Sequence, residues 1–279
     1  MVNILKNIKS HGVKESDNLS DKFLQYIEEI RRKGYTVIPN MINANDIDCI
    51  RKKIDNIYET QVEEIGGEEN LNIIGDQGFV MSLLSYDKFF IDYAVNNNCL
   101  DIVEYFLGDY FQLFCQNAVI NQINRSKDQI INMWHRDFNY LHFTTSRPIG
   151  INIFFCVDDF QKNNGATYIL PGSHQFEKFP GIEYAEKNKI QVIAKAGSAL
   201  VFDAMLFHRA GRNLSKCSRR TMTNIYTYPF IKQQINLSND ILKSIETDEN
   251  KRKILGFTNK TLDNVKVYRK LRLKRKIER

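Results

Sequence analysis

The chain has 279 residues, 43% of them apolar and 26% charged, which is enough for one well-filled core. Its most apolar stretches, such as Ile149–Val157, have the length of a strand, so no membrane-spanning helix is expected. The net charge is +6, but Lys266–Arg279 holds eight basic residues and one acid, which leaves −1 for the rest and gives the body no basic face for nucleic acid.

Residues 1–20 are polar and read as a poorly ordered lead-in, and the polar stretch Met1–Lys22 lacks the apolar core of a secretory signal. Five cysteines, an odd number without a CxxC pair, argue against a disulfide framework or zinc knot and fit a reducing cytosol. Phe23, Tyr26, Ile27 and Ile30 recur at helical spacing, so a helix is expected over Ser20–Lys33, ended by Gly34. A short strand over Tyr35–Pro39 follows, then an amphipathic helix over Asn45–Tyr58. Glu59–Gly78 is acidic, contains glycine and is weakly periodic, so it reads as a loop or lid. Phe89–Leu107 reads as a helix ending at Gly108.

From Tyr110 onward, short β-branched and aromatic runs alternate with Gly, Pro, Asn and Asp clusters. The runs Phe111–Ile123, Ile149–Val157, Ala166–Leu170, Lys189–Ile193, Ala199–Phe202 and Thr221–Tyr228 predict a sandwich or barrel of about eight strands. A late helix is expected over Asn236–Glu246. The division is then a lead-in (1–20), one domain (21–262) and a basic tail (263–279).

The chemistry concentrates in a few residues. His135-Arg136-Asp137 has the form HxD, and on a strand its outer two side chains point the same way. An imidazole and a carboxylate on one face, joined by a second His, leave three octahedral positions open, an arrangement suited to iron(II). Alone, HxD also fits a surface His beside a charged turn. An apolar strand then brings His208 to its end, and eleven residues later Arg219 opens another strand. A guanidinium there can take a carboxylate in a bidentate pair, although Arg219 and Arg220 also read as a solvated basic pair.

Together these positions, and above all the segment Asn163-Asn164-Gly165-Ala166-Thr167-Tyr168-Ile169-Leu170-Pro171-Gly172-Ser173-His174, resemble the phytanoyl-CoA dioxygenase family, with its NG…PGSH signature. His208 with Gly211, Asn213 and Arg219, and the GYTVIP opening, extend the resemblance from about Lys22 to Phe230. It implies a mostly β chain with flanking helices around a double-stranded β-helix (jelly-roll, cupin-like) core. It also implies iron(II), 2-oxoglutarate and dioxygen. By the resemblance, His135, Asp137 and His208 are the metal ligands and Arg219 binds the 2-oxoglutarate C5 carboxylate. Phe154 is the aromatic near the cosubstrate, and Gln122 is a polar contact to it.

The implied reaction is hydroxylation of an unactivated C–H in a small molecule, with release of succinate and CO2. Desaturation, epimerisation or ring closure would use the same ligands. Family halogenases carry Ala or Gly at the carboxylate position, so Asp137 argues against halogenation. A non-catalytic metal-binding jelly-roll is the reading from another class. His174 is expected to stabilise its turn, Trp134 to pack in the core and Cys217 to be incidental. His142 lies at the expected pocket mouth, with substrate contact and plain packing both open. The basic tail is expected to be solvated or to touch an anionic membrane surface weakly.

Overall fold

The long strands bury both faces, and the two faces differ in kind. The computed structural model describes residues 21–95, 98–123, 133–138, 143–259 and 261–277. The lead-in and His142 lie outside them. Six strands, β1 (Tyr35–Ile38), β2 (Phe79–Val80), β3 (Gln112–Asn121), β4 (Gly150–Cys156), β7 (Ala199–Asp203) and β9 (Arg219–Thr227), form the main antiparallel sheet, in the order β1-β7-β4-β9-β3-β2. Three two-residue strands, β5 (Tyr168–Ile169), β6 (Ile190–Gln191) and β8 (His208–Arg209), make a smaller sheet, in the order β6-β5-β8.

On the outer face of the main sheet, Ala118 and Ile120 of β3, Ile151, Ile153 and Phe155 of β4, Val201 of β7 and Met222 and Tyr226 of β9 form one apolar core with the helices. Helix α1 (Asp21–Lys33) contributes Ile27 and Ile30, and α2 (Ile47–Glu64) contributes Ile50 and Ile54. The alternate residues face inward: Asn117 and Val119, Phe154, then Thr221, Thr223 and Ile225 line a cavity shared with His208 of the small sheet. This is the jelly-roll arrangement the sequence led us to expect, with two sheets enclosing the site and helices covering the outside.

Several sequence readings need correction. The stretch Glu59–Gly78 is not a loop: α2 continues to Glu64, and α3 covers Glu68–Ile74. Its glycines punctuate helices rather than loosen them. The Gly67 N–H caps α2 by donating to Val62 O at 2.8 Å, and Gly75 closes α3 at φ +80. Periodicity is weak there because only Leu71 in α3 is buried. The expected helix over Phe89–Leu107 is two helices, α5 (Phe89–Val95) and α6 (Leu100–Leu107), following the one-turn α4 (Leu83–Tyr86). The late helix expected over Asn236–Glu246 is the shorter α8 (Asn239–Ser244), and a further helix, α9 (Glu249–Ile254), follows beyond it. The basic tail is helical: α10 spans Val265–Ile277, and α7 (Ile182–Asn188) precedes β6. No helix among the described residues is long and apolar enough to cross a membrane.

Candidate functional site

His208 does not sit at the end of β7. The chain leaves the main sheet at Asp203, turns through Leu206 N–H to Asp203 O (2.8 Å), and enters the small sheet as β8. There His208 pairs with His135 through two reciprocal backbone hydrogen bonds, each 3.0 Å. Paired residues of an antiparallel ladder project to the same face, so the two rings meet, with centroids 4.3 Å apart. The Asp137 N–H donates to Ala204 O at 3.0 Å, which brings the carboxylate alongside.

Hydrogen bonds fix the state of all three donors. His135 Nδ1 lies 2.8 Å from Met133 O, and His208 Nδ1 lies 3.0 Å from Leu206 O. A carbonyl only accepts, so each Nδ1 carries the proton and each Nε2 presents a lone pair. Asp137 Oδ2 accepts from Asn152 Nδ2 at 2.9 Å, and Asn152 Oδ1 accepts from Thr223 Oγ1 at 2.6 Å. That leaves Asp137 Oδ1 facing His208 Nε2 at 3.7 Å. Burial pushes the His208 ring down to about 4 and lowers His135 as well, where the neighbouring His208 adds to the effect. Both rings are therefore neutral near pH 7. Burial raises Asp137, and the Asn152 hydrogen bond opposes the rise.

The donor set suits an iron(II) ion: two neutral imidazoles and one carboxylate oxygen, with their other polar atoms already engaged. Two ligands about 2.1 Å from a metal on adjacent octahedral corners sit about 3 Å apart. The 3.7 Å spacing is therefore slightly open, and no three such groups among the described residues are yet closed around one point.

The triad opens on a cavity of about 100 Å3 that also takes in Phe154, Thr167 and Arg219. Phe154 stands edge-on to His208, centroids 5.8 Å apart. Arg219 is 2% exposed, lies 4.4 Å over the Phe160 ring and donates to Thr221 Oγ1. Arg220, on the opposite face, forms paired 2.7 Å hydrogen bonds with Asp55. Gln122 is not brought to this cavity. It lies one residue beyond the inward series of β3, and its side chain pairs with the Tyr58 hydroxyl of α2. Larger cavities of about 390 Å3 near Asp203 and 620 Å3 near Phe176 do not include the triad.

The signature segment is architectural. The backbone at Gly165 (φ +77) and at Gly211 comes close to Asn121, whose Nδ2 donates to both their carbonyl oxygens at 3.0 Å. Asn213 Nδ2 returns a hydrogen bond to Asn121 O at 2.8 Å. His174 reaches Arg31 O of α1 at 3.2 Å, in keeping with a turn-stabilising role. Trp134 is half-buried, with the Arg209 guanidinium 5.3 Å from its ring.

Sequence reasoning missed Asn152, although a lone polar residue in the apolar run Gly150–Cys156 was a visible signal. It also missed Arg136, which is buried and donates to the carbonyl oxygens of Met205, Glu177, Ser173 and Phe176. Nothing in the HxD pattern marks that residue.

Comparison with known proteins identifies the family and the fold. The profile of the phytanoyl-CoA dioxygenase (PhyH) family matches residues 30–221. The protein Rv1501 of Mycobacterium tuberculosis is 29% identical over 240 residues, covering 84% of this chain and 87% of its own. The dioxygenase olcK of Penicillium canescens is 28% identical, covering 72% and 68%. The crystal structure of the epimerase SnoN with Fe3+, alpha ketoglutarate and nogalamycin RO shares the fold, with a TM-score of 0.57 at 16% identity, over 75% of this chain and 84% of that one. With a profile match over most of its length and this jelly-roll core, the chain belongs to the phytanoyl-CoA dioxygenase family of oxygenases, which work with iron(II), 2-oxoglutarate and dioxygen.

Proposed function

We propose that His135, Asp137 and His208 hold the iron(II), that Arg219 anchors the distal carboxylate of 2-oxoglutarate, and that the enzyme hydroxylates an unactivated C–H of a small molecule. The observation that carries this reading is the position of the buried Arg219 on the wall of the same cavity as a tautomer-fixed His/Asp/His set. Bound there, iron and 2-oxoglutarate supply the oxidising chemistry, with succinate and CO2 as co-products.

The chain's own residues bind, orient and exclude water. Met133 O and Leu206 O hold the rings with Nε2 forward, and Thr223 acts through Asn152 to keep the Asp137 carboxylate from rotating. Thr221 and the Phe160 face hold the Arg219 fork before a ligand arrives, which lowers the ordering cost of binding. Phe79, Val119, Phe154 and Ile225 give the cavity apolar walls, so a hydrocarbon portion of a substrate is desolvated as it enters. Asn117 and the Thr167, Thr221 and Thr223 hydroxyls are the uncharged polar groups beside them.

The test is metal binding by titration calorimetry, paired with succinate formation from 2-oxoglutarate. The wild-type chain should bind one equivalent of iron(II) and form succinate. His208→Ala should lose both, with metal affinity down by roughly 100-fold or more. Undiminished iron binding by His208→Ala would sink the ligand assignment.

A further inference from the structure

The iron chemistry makes no use of α10, and the composition of that helix is unlike the rest of the chain. Val265–Ile277 carries seven basic residues and no acid, while the rest of the molecule is close to neutral. The helix begins on a side-chain cap, Asn264 Oδ1 accepting from Val267 N–H at 3.0 Å. Leu273, 62% exposed, and Ile277, 75% exposed, stand clear of the core.

Helical geometry arranges these groups. At about 100° per residue, Lys276, Arg269, Leu273, Lys266, Ile277 and Lys270 fall, in that order, on one arc about 120° wide. Leu273 and Ile277 occupy the middle of the arc, one turn apart, with cations on both flanks. The cations also stack on each other, as with Lys266 and Lys270 at i,i+4, and such pairs destabilise a helix left in water. An anionic surface relieves that repulsion.

We propose that α10 is a surface anchor that lies flat on an anionic lipid bilayer. Leu273 and Ile277 enter the boundary between headgroups and acyl chains, and Lys266, Arg269, Lys270 and Lys276 extend to the lipid phosphates. The two exposed aliphatic residues on this arc favour a bilayer over a nucleic acid; Val265 and Leu271, also exposed, lie off it. Cations alone bind a phosphodiester backbone, whereas apolar side chains at the centre of the charged face gain nothing from it. The anchor would hold the enzyme where amphipathic substrates collect.

The experiment is co-sedimentation of the full chain with equimolar phosphatidylcholine–phosphatidylglycerol vesicles and with pure phosphatidylcholine vesicles, alongside retention on heparin. The wild-type chain should sediment with the anionic vesicles only. The triple variant Lys266→Glu/Arg269→Glu/Lys270→Glu should lose more than roughly tenfold in partitioning. The double variant Leu273→Ser/Ile277→Ser should lose roughly tenfold on vesicles yet elute from heparin like the wild type. If either variant sediments like the wild type, or if the double variant weakens equally on vesicles and heparin, the anchor is overturned.

Discussion

At the scale of single residues, adjacent arginines meet opposite fates. Arg219 and Arg220 are chemically identical, and strand alternation alone sends one into the cavity and the other to Asp55 and Asp158. Arg219→Ala should therefore weaken 2-oxoglutarate binding by about 30- to 150-fold, the worth of a charge-assisted bidentate contact of ~2–3 kcal/mol. Arg220→Ala should leave that affinity nearly unchanged and lower the melting temperature instead, because it strands a half-buried carboxylate pair. Calorimetric titration of 2-oxoglutarate into both variants, with thermal melts, checks the pair; the larger loss of affinity in Arg220→Ala would reverse the assignment. The sequence was informative here because the four residues singled out by spacing, His135, Asp137, His208 and Arg219, line one cavity. It was uninformative for Gln122, where extending β3 by one residue flips the face, and for Asn152 and Thr223, whose roles depend on a neighbour across the sheet.

At the scale of elements, the turns set the site more tightly than the strands do. The Gly165 turn, the Gly211 turn and the end of β3 are tied together by Asn121 and Asn213 within one residue of register of Arg219, since Asn121 pairs with Arg219 across the ladder. A Cβ on Gly165 would lie 2.2 Å from Asn121 Nδ2 and 2.6 Å from Gly211 O, at a φ of +77. Gly165→Ala should thus cost more than about 2 kcal/mol, combining left-handed strain with a backbone clash. Gly181→Ala, where a Cβ meets nothing within 4 Å, should change stability by less than about 0.5 kcal/mol. Denaturant melts of the two variants decide it, and equal midpoints would refute the account. The signature glycines and asparagines could be read as turns from sequence alone. What could not be read was that α2 and α3 replace the expected loop at 59–78, because a helix with one buried residue leaves little periodic trace.

At the scale of the whole molecule, both sheets and α1 meet at Asp203. Its N–H donates to Gly34 O beside α1, the next residue's N–H donates to Gly150 O of β4, and that residue's carbonyl holds Asp137. The side chain is 5% exposed, and its Oδ1 accepts from Met205 N–H at 2.8 Å. Burial raises its carboxyl from the ordinary 3.8 to about 7; the Met205 hydrogen bond and the charge of Arg136 oppose the rise, and nearby Asp137 adds to it. The folded state therefore holds a proton that the unfolded chain releases near 3.8. The associated stability is fully present below that pH and is lost as pH rises through about 7. Asp203→Asn keeps an oxygen for Met205 N–H but removes the titration. Metal-free wild type and variant should thus diverge as pH climbs from 5 to 8, with the wild type losing melting temperature relative to Asp203→Asn. The gap should amount to several degrees, given that each pKa unit is worth about 1.4 kcal/mol. Because Asp137 and the histidines are common to both proteins, their titration largely cancels in the difference. A gap that stays constant across this pH range would show that Asp203 is ionised in the folded state, and that the junction of the two sheets tolerates a buried negative charge.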